Sequence, residues 1–186
     1  MVIIIAMEVM NNKMLTEVMN VKDLEEFIRG HDNGILFCFG TSFISRIIQA
    51  KTKLYPSEIV PSHVALIMRG FVYESTTDSP NVNKKHIPAG VRRWLLNDFL
   101  KSEKKKQTGY SVLEIPNELV NPIELENNIH RPYGKDTILD FVLKDGSEGE
   151  SNGLICSQYV NIVTQLLPDK KCPTPAELYR KAKEII

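Results

Sequence analysis

The sequence predicts an α+β domain, an antiparallel sheet packed with helices, on three observations. Residues 63–68, HVALIM, and 71–76, FVYEST, are β-rich runs separated only by Arg69-Gly70, which is hairpin spacing. Two further short runs, GILFCFG at 34–40 and YSVLEIP at 110–116, read as strands. Apolar residues recur at helical spacing near both ends of the chain, most clearly after residue 156 and after residue 174.

In chain order, the first helix is expected over residues 21–29. Asn20 is a good N-cap, Asp23 stands in the first turn and Gly30 follows the last, with Leu24, Phe27 and Ile28 as the apolar face. GILFCFG lies between glycines, as a short buried strand does. Helical spacing returns in SFISRIIQAKTKL, 42–54, through Phe43, Ile44, Ile47 and Ile48, and YPSEIVPS, 55–62, is a proline-punctuated loop. After the hairpin, 77–90 reads as loop, and VRRWLLNDFLKS, 91–102, is ambiguous and turns helical toward its end. Residues 117–130 read as helical with an interruption near Pro122, RPYG as a turn and 135–144 as a short helix. A helix over 156–167 follows the polar, glycine-rich KDGSEGESNG of 144–153. The last helix has the clearest start: Thr174 as N-cap, Pro175 at the first helical position and Glu177 completing a capping box.

The 186 residues suit a single domain spanning 1–186, long enough to bury a core without metals or disulfides. Lys plus Arg and Asp plus Glu both number 23, and the short run KSEKKKQ at 101–107 reads as a solvated segment. This balance gives no electrostatic reason to expect a nucleic-acid partner. Three cysteines without paired spacing argue against a disulfide framework and a Cys-x-x-Cys zinc site. No apolar run approaches bilayer length, so stable membrane insertion is not expected. The N-terminus is apolar only over Val2–Ala6 and lacks a basic region, so no signal peptide is read and the expected compartment is the cytoplasm.

The chemistry follows from the hairpin. With a two-residue turn, paired positions sum to 139, and side chains alternate between faces. His63, Ala65, Ile67, Val72, Glu74 and Thr76 then share one face, and Val64, Leu66, Met68, Phe71, Tyr73 and Ser75 share the other, greasier one. His63 and Glu74 are diagonal neighbours, close enough for a carboxylate to meet an imidazole. A carboxylate on one ring nitrogen fixes the tautomer and leaves the other to take a proton from a nucleophile.

Cys156 fits the nucleophile's place. It stands where the polar loop turns into the 156–167 helix, and unpaired N–H groups at a helix start stabilise a thiolate. A nearby imidazolium would lower its pKa further, and the N–H at such a position can donate to an oxyanion. Taken alone, Cys156 reads first as a small buried hydrophobe and His63 as structural, and Glu74 reads equally as an exposed strand residue. One explanation covering three separate positions favours the catalytic reading. Cys38, in ILFCF, reads as core, and Cys172, in DKKCPTP, as part of an exposed linker. His31, His86 and His130 lie in polar or turn segments without a carboxylate placed by strand geometry. A metal site built from Cys156, Cys172 and a histidine matches no zinc spacing.

The order His63 in PSHVALIM, Glu74 in FVYEST, Tyr133 in RPYGK and Cys156 in GLICSQYVN resembles the permuted NlpC/P60-like (YiiX-like) cysteine hydrolases of papain fold, in which the histidine strand precedes the cysteine helix. GILFCFGTSFISRIIQAKT looks like the family's opening strand and helix, and TPAELY also fits. The resemblance spans roughly residues 34–182. It implies a circularly permuted papain-like core there, with residues 1–33 as an N-terminal extension carrying one helix. It further implies a cysteine hydrolase or acyltransferase acting on an amide or ester bond. Cys156 would attack, His63 would move the proton, Glu74 would orient His63, and an acyl-enzyme thioester would form without a cofactor. Tyr133 would line the site, although a turn tyrosine packed on the sheet is an equal reading. Ser157 reads as a satisfier of first-turn donors. The implied partner is a small-molecule, peptide or lipid substrate, cell-wall peptides among them. A papain-like binding module without activity is the alternative from another class. The oligomeric state is not legible.

Overall fold

The computed structural model describes residues 18–31, 33–77, 81–82, 85–86, 88–104, 106, 108–135 and 153–185. Arg69 and Gly70 both take positive φ, 48° and 78°, as a type I′ turn requires. That turn joins β2 (His63–Met68) to β3 (Phe71–Thr76) in the expected register: Met68 faces Phe71, Ile67 faces Val72 and Leu66 faces Tyr73. The strand expected at 34–40 is β1 (Asn33–Phe39), paired with β2 on one side and with β7 (Gly109–Glu114) on the other.

Residues 91–102 divide into a strand and a helix. Gly90–Leu95 is β6, paired with β3 from Phe71↔Leu95 to Thr76↔Gly90, and Leu96–Glu103 is α3. The boundary is hard to read because Trp94, Leu95 and Leu96 are apolar in sequence yet point in different directions: Trp94 is buried and Leu95 exposed. The sheet order is β6-β3-β2-β1-β7, every neighbouring pair antiparallel, which makes the domain α+β. A two-stranded ribbon, β4 (Asn81–Val82) with β5 (Lys85–His86), lies in the stretch expected to be loop.

The two faces of the hairpin carry two cores, as the alternation requires. Val64, Leu66 and Tyr73 pack with Phe37 beneath α5 (Cys156–Thr164), α6 (Pro175–Ile185) and Leu125 of α4 (Pro122–Asn127). Ala65, Ile67 and Val72 pack with Leu36 and Trp94 against Leu24 of α1 (Val21–Ile28) and Phe99 of α3. Asn20 caps α1 as expected, its side chain accepting from the backbone of Lys22 and Asp23 at 2.8 and 3.2 Å. The Thr174–Glu177 box also forms, with the Thr174 N–H donating to Glu177 at 2.8 Å and the Glu177 N–H to Thr174 Oγ1 at 3.2 Å.

Two expectations change, and a third is untested. Helix α5 stops at Thr164, because Gln165 turns left-handed at φ 52°. Helix α2 (Phe43–Thr52) forms, but of its four isoleucine and phenylalanine positions only Ile48 is buried, and Phe43 is 78% exposed. Its inner side is held by Arg180 of α6, which donates to the Thr52 carbonyl at 2.6 Å and to Glu58 at 2.8 and 3.0 Å. The helix expected over 135–144 lies outside the described residues, as does most of the 144–153 loop. Among the described residues no helix is long and apolar enough to cross a membrane.

Candidate active site

His63 is the first residue of β2 and Cys156 the first of α5. By parity His63 belongs to the Ala65 face, whereas Cys156 packs in the opposite core beside Val64. They meet because each stands at the end of its element. The thiol and the imidazole stand close enough for each to shift the other's titration, and the backbone of Val64 and of Ser157 also acts on the sulphur. His63 Nε2 lies 2.8 Å from Glu74 Oε2. An ionised carboxylate only accepts, so Nε2 carries its proton toward Glu74 and Nδ1 is the nitrogen left for the thiol.

Glu74 is itself held by a residue that the sequence reading passed over. Arg92, directly opposite on β6, donates through Nε at 3.0 Å and Nη2 at 2.7 Å to Glu74 Oε1. Both side chains are buried, and the guanidinium lies 4.4 Å from the centre of the Trp94 ring. Thus three neighbouring strands carry a line of groups, Arg92–Glu74–His63, that ends at the thiol. Alternation in GVRRWL was the available signal: it puts Arg92 and Trp94 on one face and Arg93 on the other, where Arg93 meets Glu126 at 3.2 Å.

The electrostatics follow from this line. Burial pushes the Glu74 carboxyl upward, but the His63 hydrogen bond and the charges of His63 and Arg92 outweigh it and hold the group at about 2. Burial opposes the imidazolium of His63, yet the Cys156 thiolate and the Glu74 carboxylate raise it to about 10. Burial likewise opposes the thiolate, and the His63 charge, its hydrogen bond and the two backbone donors overcome that and lower Cys156. Both directions favour a thiolate paired with an imidazolium. Such a pair is a nucleophile accompanied by its own general acid. Cys38 shows the contrast, since burial and nearby carboxylates raise its thiol well above the ordinary value.

The helix start is built to leave N–H groups for the site. The Ile155 N–H donates to Gln158 Oε1 at 3.1 Å, so the N-cap is satisfied from within its own turn. The lead-in is locked to the RPYG turn: Leu154 N–H donates to the Pro132 carbonyl at 3.0 Å and Gly134 N–H to the Leu154 carbonyl at 3.3 Å. Ser75 Oγ donates to the same Leu154 carbonyl at 2.5 Å. Gly153 lets the two segments touch, for a Cβ there would stand 2.6 Å from the Tyr133 carbonyl carbon.

Tyr133 is brought to the site. It lines, with His63, Glu74 and Arg92, a cavity of about 620 Å³ on the His63 side. Cys156 faces a smaller apolar pocket on the other side, shared with Ile48, Cys172 and Pro173. Two expectations change here. Cys172 is half-buried beside the thiol rather than in an exposed linker, and the buried Ser157 hydroxyl has no hydrogen-bond partner among the described residues. His31 instead stacks on Phe27, with ring centroids 4.1 Å apart. Among the described residues no cluster of three His, Cys, Asp or Glu side chains is arranged to hold a metal ion.

No protein-family model, curated protein or solved structure matches the chain.

Proposed function

We propose that the chain is a cysteine-dependent acyl hydrolase or acyltransferase, built on a papain-like core in the circularly permuted order of the NlpC/P60-type proteins. One observation carries the reading: a thiol at a helix start stands beside an imidazole, each shifting the other's titration, and a buried carboxylate holds that imidazole at 2.8 Å. The Cys156 thiolate attacks a carbonyl carbon of an amide or ester and forms a C–S bond. The carbonyl electron pair moves to oxygen, and the N–H of Cys156 at the helix start can donate a hydrogen bond to that oxyanion. Collapse breaks the bond to the leaving amine or alcohol, which takes its proton from His63. The thioester is then attacked by water or another acceptor, whose proton returns to His63, and the thiol is released. Glu74 stabilises the imidazolium throughout, and Arg92 keeps Glu74 ionised and in place. Tyr133, on the wall of the larger cavity, orients the substrate.

Mass spectrometry of the intact chain after incubation with a panel of peptides, esters and lipids tests this. A covalent acyl adduct on Cys156, lost in Cys156→Ser, is expected. No adduct from any member, with Cys156 alkylated no faster than Cys172, would defeat the proposal.

The burial of Cys156, at 5% exposure, favours a second reading: a papain-like binding module without turnover. In that case the three cysteines label slowly and alike, and His63→Ala leaves the labelling of Cys156 unchanged.

A further inference from the structure

Helix α2 turns its apolar side the wrong way for a core element. Ile48 and Thr52 are its buried residues. Phe43, the half-buried Ile47 and Ala50 form the stripe on the side away from them. The exposed apolar surface continues past the helix through Leu54, Tyr55 and Ile59, with Leu54 73% and Ile59 67% exposed. Scattered surface hydrophobics are ordinary, but a contiguous set on one element marks a contact surface.

The charges on the same element say what would cover it. Residues 41–57 contain Arg46, Lys51 and Lys53 and no acidic residue. On the helix, Arg46 and Lys51 flank the apolar stripe on its two sides. Arg46 and Lys53 also bound a shallow hollow lined by Gln49, Ala50, Leu54 and Tyr55. The next acid along the chain, Glu58, pairs with Arg180 and also feels the charge of Lys53. An apolar stripe bordered by long cationic side chains, with a tyrosine at its end, is the arrangement that seats in the headgroup region of an anionic bilayer.

We propose that α2 and the following 54–59 loop form a membrane-docking surface that binds anionic lipid bilayers peripherally. Its placement gives the docking a purpose. Ile44 and Ile48 of the same helix line the cavity beside His63, and Ile48 also lines the apolar pocket at Cys156. Seated on a bilayer, the protein would hold the helix that lines both pockets at the membrane surface. This use of the surface rests on the catalytic reading of Cys156; the docking itself does not.

The test is co-sedimentation of the full chain carrying Cys156→Ser with vesicles of phosphatidylcholine alone and with added phosphatidylserine. Binding to the phosphatidylserine vesicles is expected to be at least about tenfold tighter and to fall as salt is raised. Phe43→Ser with Leu54→Ser, and separately Arg46→Glu with Lys53→Glu, are each expected to weaken it about tenfold or more, with folding checked by circular dichroism. No binding to phosphatidylserine vesicles overturns the proposal, as does binding that both double variants leave unchanged. Conversion of a native dimer to monomer by Phe43→Ser with Leu54→Ser, without a change in vesicle binding, also overturns it and assigns the surface to a second copy. Vesicle binding without acyl chemistry in the native chain would sink the catalytic reading alone.

Discussion

Glu74 divides its two oxygens between two cations: Oε2 meets His63 Nε2 at 2.8 Å and Oε1 meets Arg92 Nη2 at 2.7 Å. The carboxylate is buried and fully committed. A network of this kind orients a base, and it is costly to break at any one point.

Removing the guanidinium leaves a buried carboxylate half-paired. Arg92→Met is expected to lose about 3–5 kcal/mol in urea unfolding. Acid shows the same network from the other side. Glu74 is held at about 2, below its ordinary 4.5, so its contribution is fully present above 4.5 and drains away as pH falls through about 2. The stability gap between the native chain and Glu74→Gln should therefore narrow across that window. A gap that persists undiminished at its acid end would mean that Glu74 is not ionised in the fold.

Alkylation by iodoacetamide reads the thiol directly. Cys156 is held below its ordinary 9.0 and should react at neutral pH, whereas Cys38, raised by burial, should not. In His63→Ala the burial of Cys156 acts without the imidazolium against it, so its half-maximal pH should move upward. On the proposed mechanism the leaving group takes its proton from His63, so turnover is expected to decline on the alkaline side as pH rises through about 10.

Gly153 gives a test of the lead-in. A Cβ at this position would press on the backbone of Tyr133 and Gly134 at 2.6 and 2.7 Å. Neither contact is with a side chain that can swing away. Gly153→Ala is expected to cost about 1–3 kcal/mol and to slow Cys156 alkylation, because the helix start shifts with its lead-in. Unchanged stability and labelling would show that the two segments part easily.

The hairpin offers a gain instead of a loss. Arg69 sits at φ 48°, a conformation that asparagine adopts more readily. Arg69→Asn should raise stability by up to about 1 kcal/mol, read from the unfolding midpoint, with the register and thiol chemistry retained.

The parts of the site legible in sequence were those set by local rules. A two-residue turn fixes pairing and parity, which was enough to bring Glu74 and His63 to one face. A change from loop pattern to helix pattern was enough to find the start of α5. Arg92 escaped because its partner is fixed by sheet order, β6 beside β3, and nothing local in VRRWLL announces that neighbour. The half-burial of Cys172 escaped for the same reason, since the pocket around it is closed by Ile48 from a distant helix. Helix α2 was legible as a helix but not in its orientation, because spacing identifies a stripe without saying which way it faces.

The spacing of the three groups along the chain also bears on synthesis. His63 and Glu74 lie in one hairpin and can find each other as soon as that turn has left the ribosome. The sulphur arrives much later, at the head of α5. Until that helix docks, a nascent chain carries an imidazole with nothing to deprotonate and a thiol of ordinary reactivity. On the catalytic reading proposed above, the late helix must dock onto the early strands before the thiol meets its imidazole.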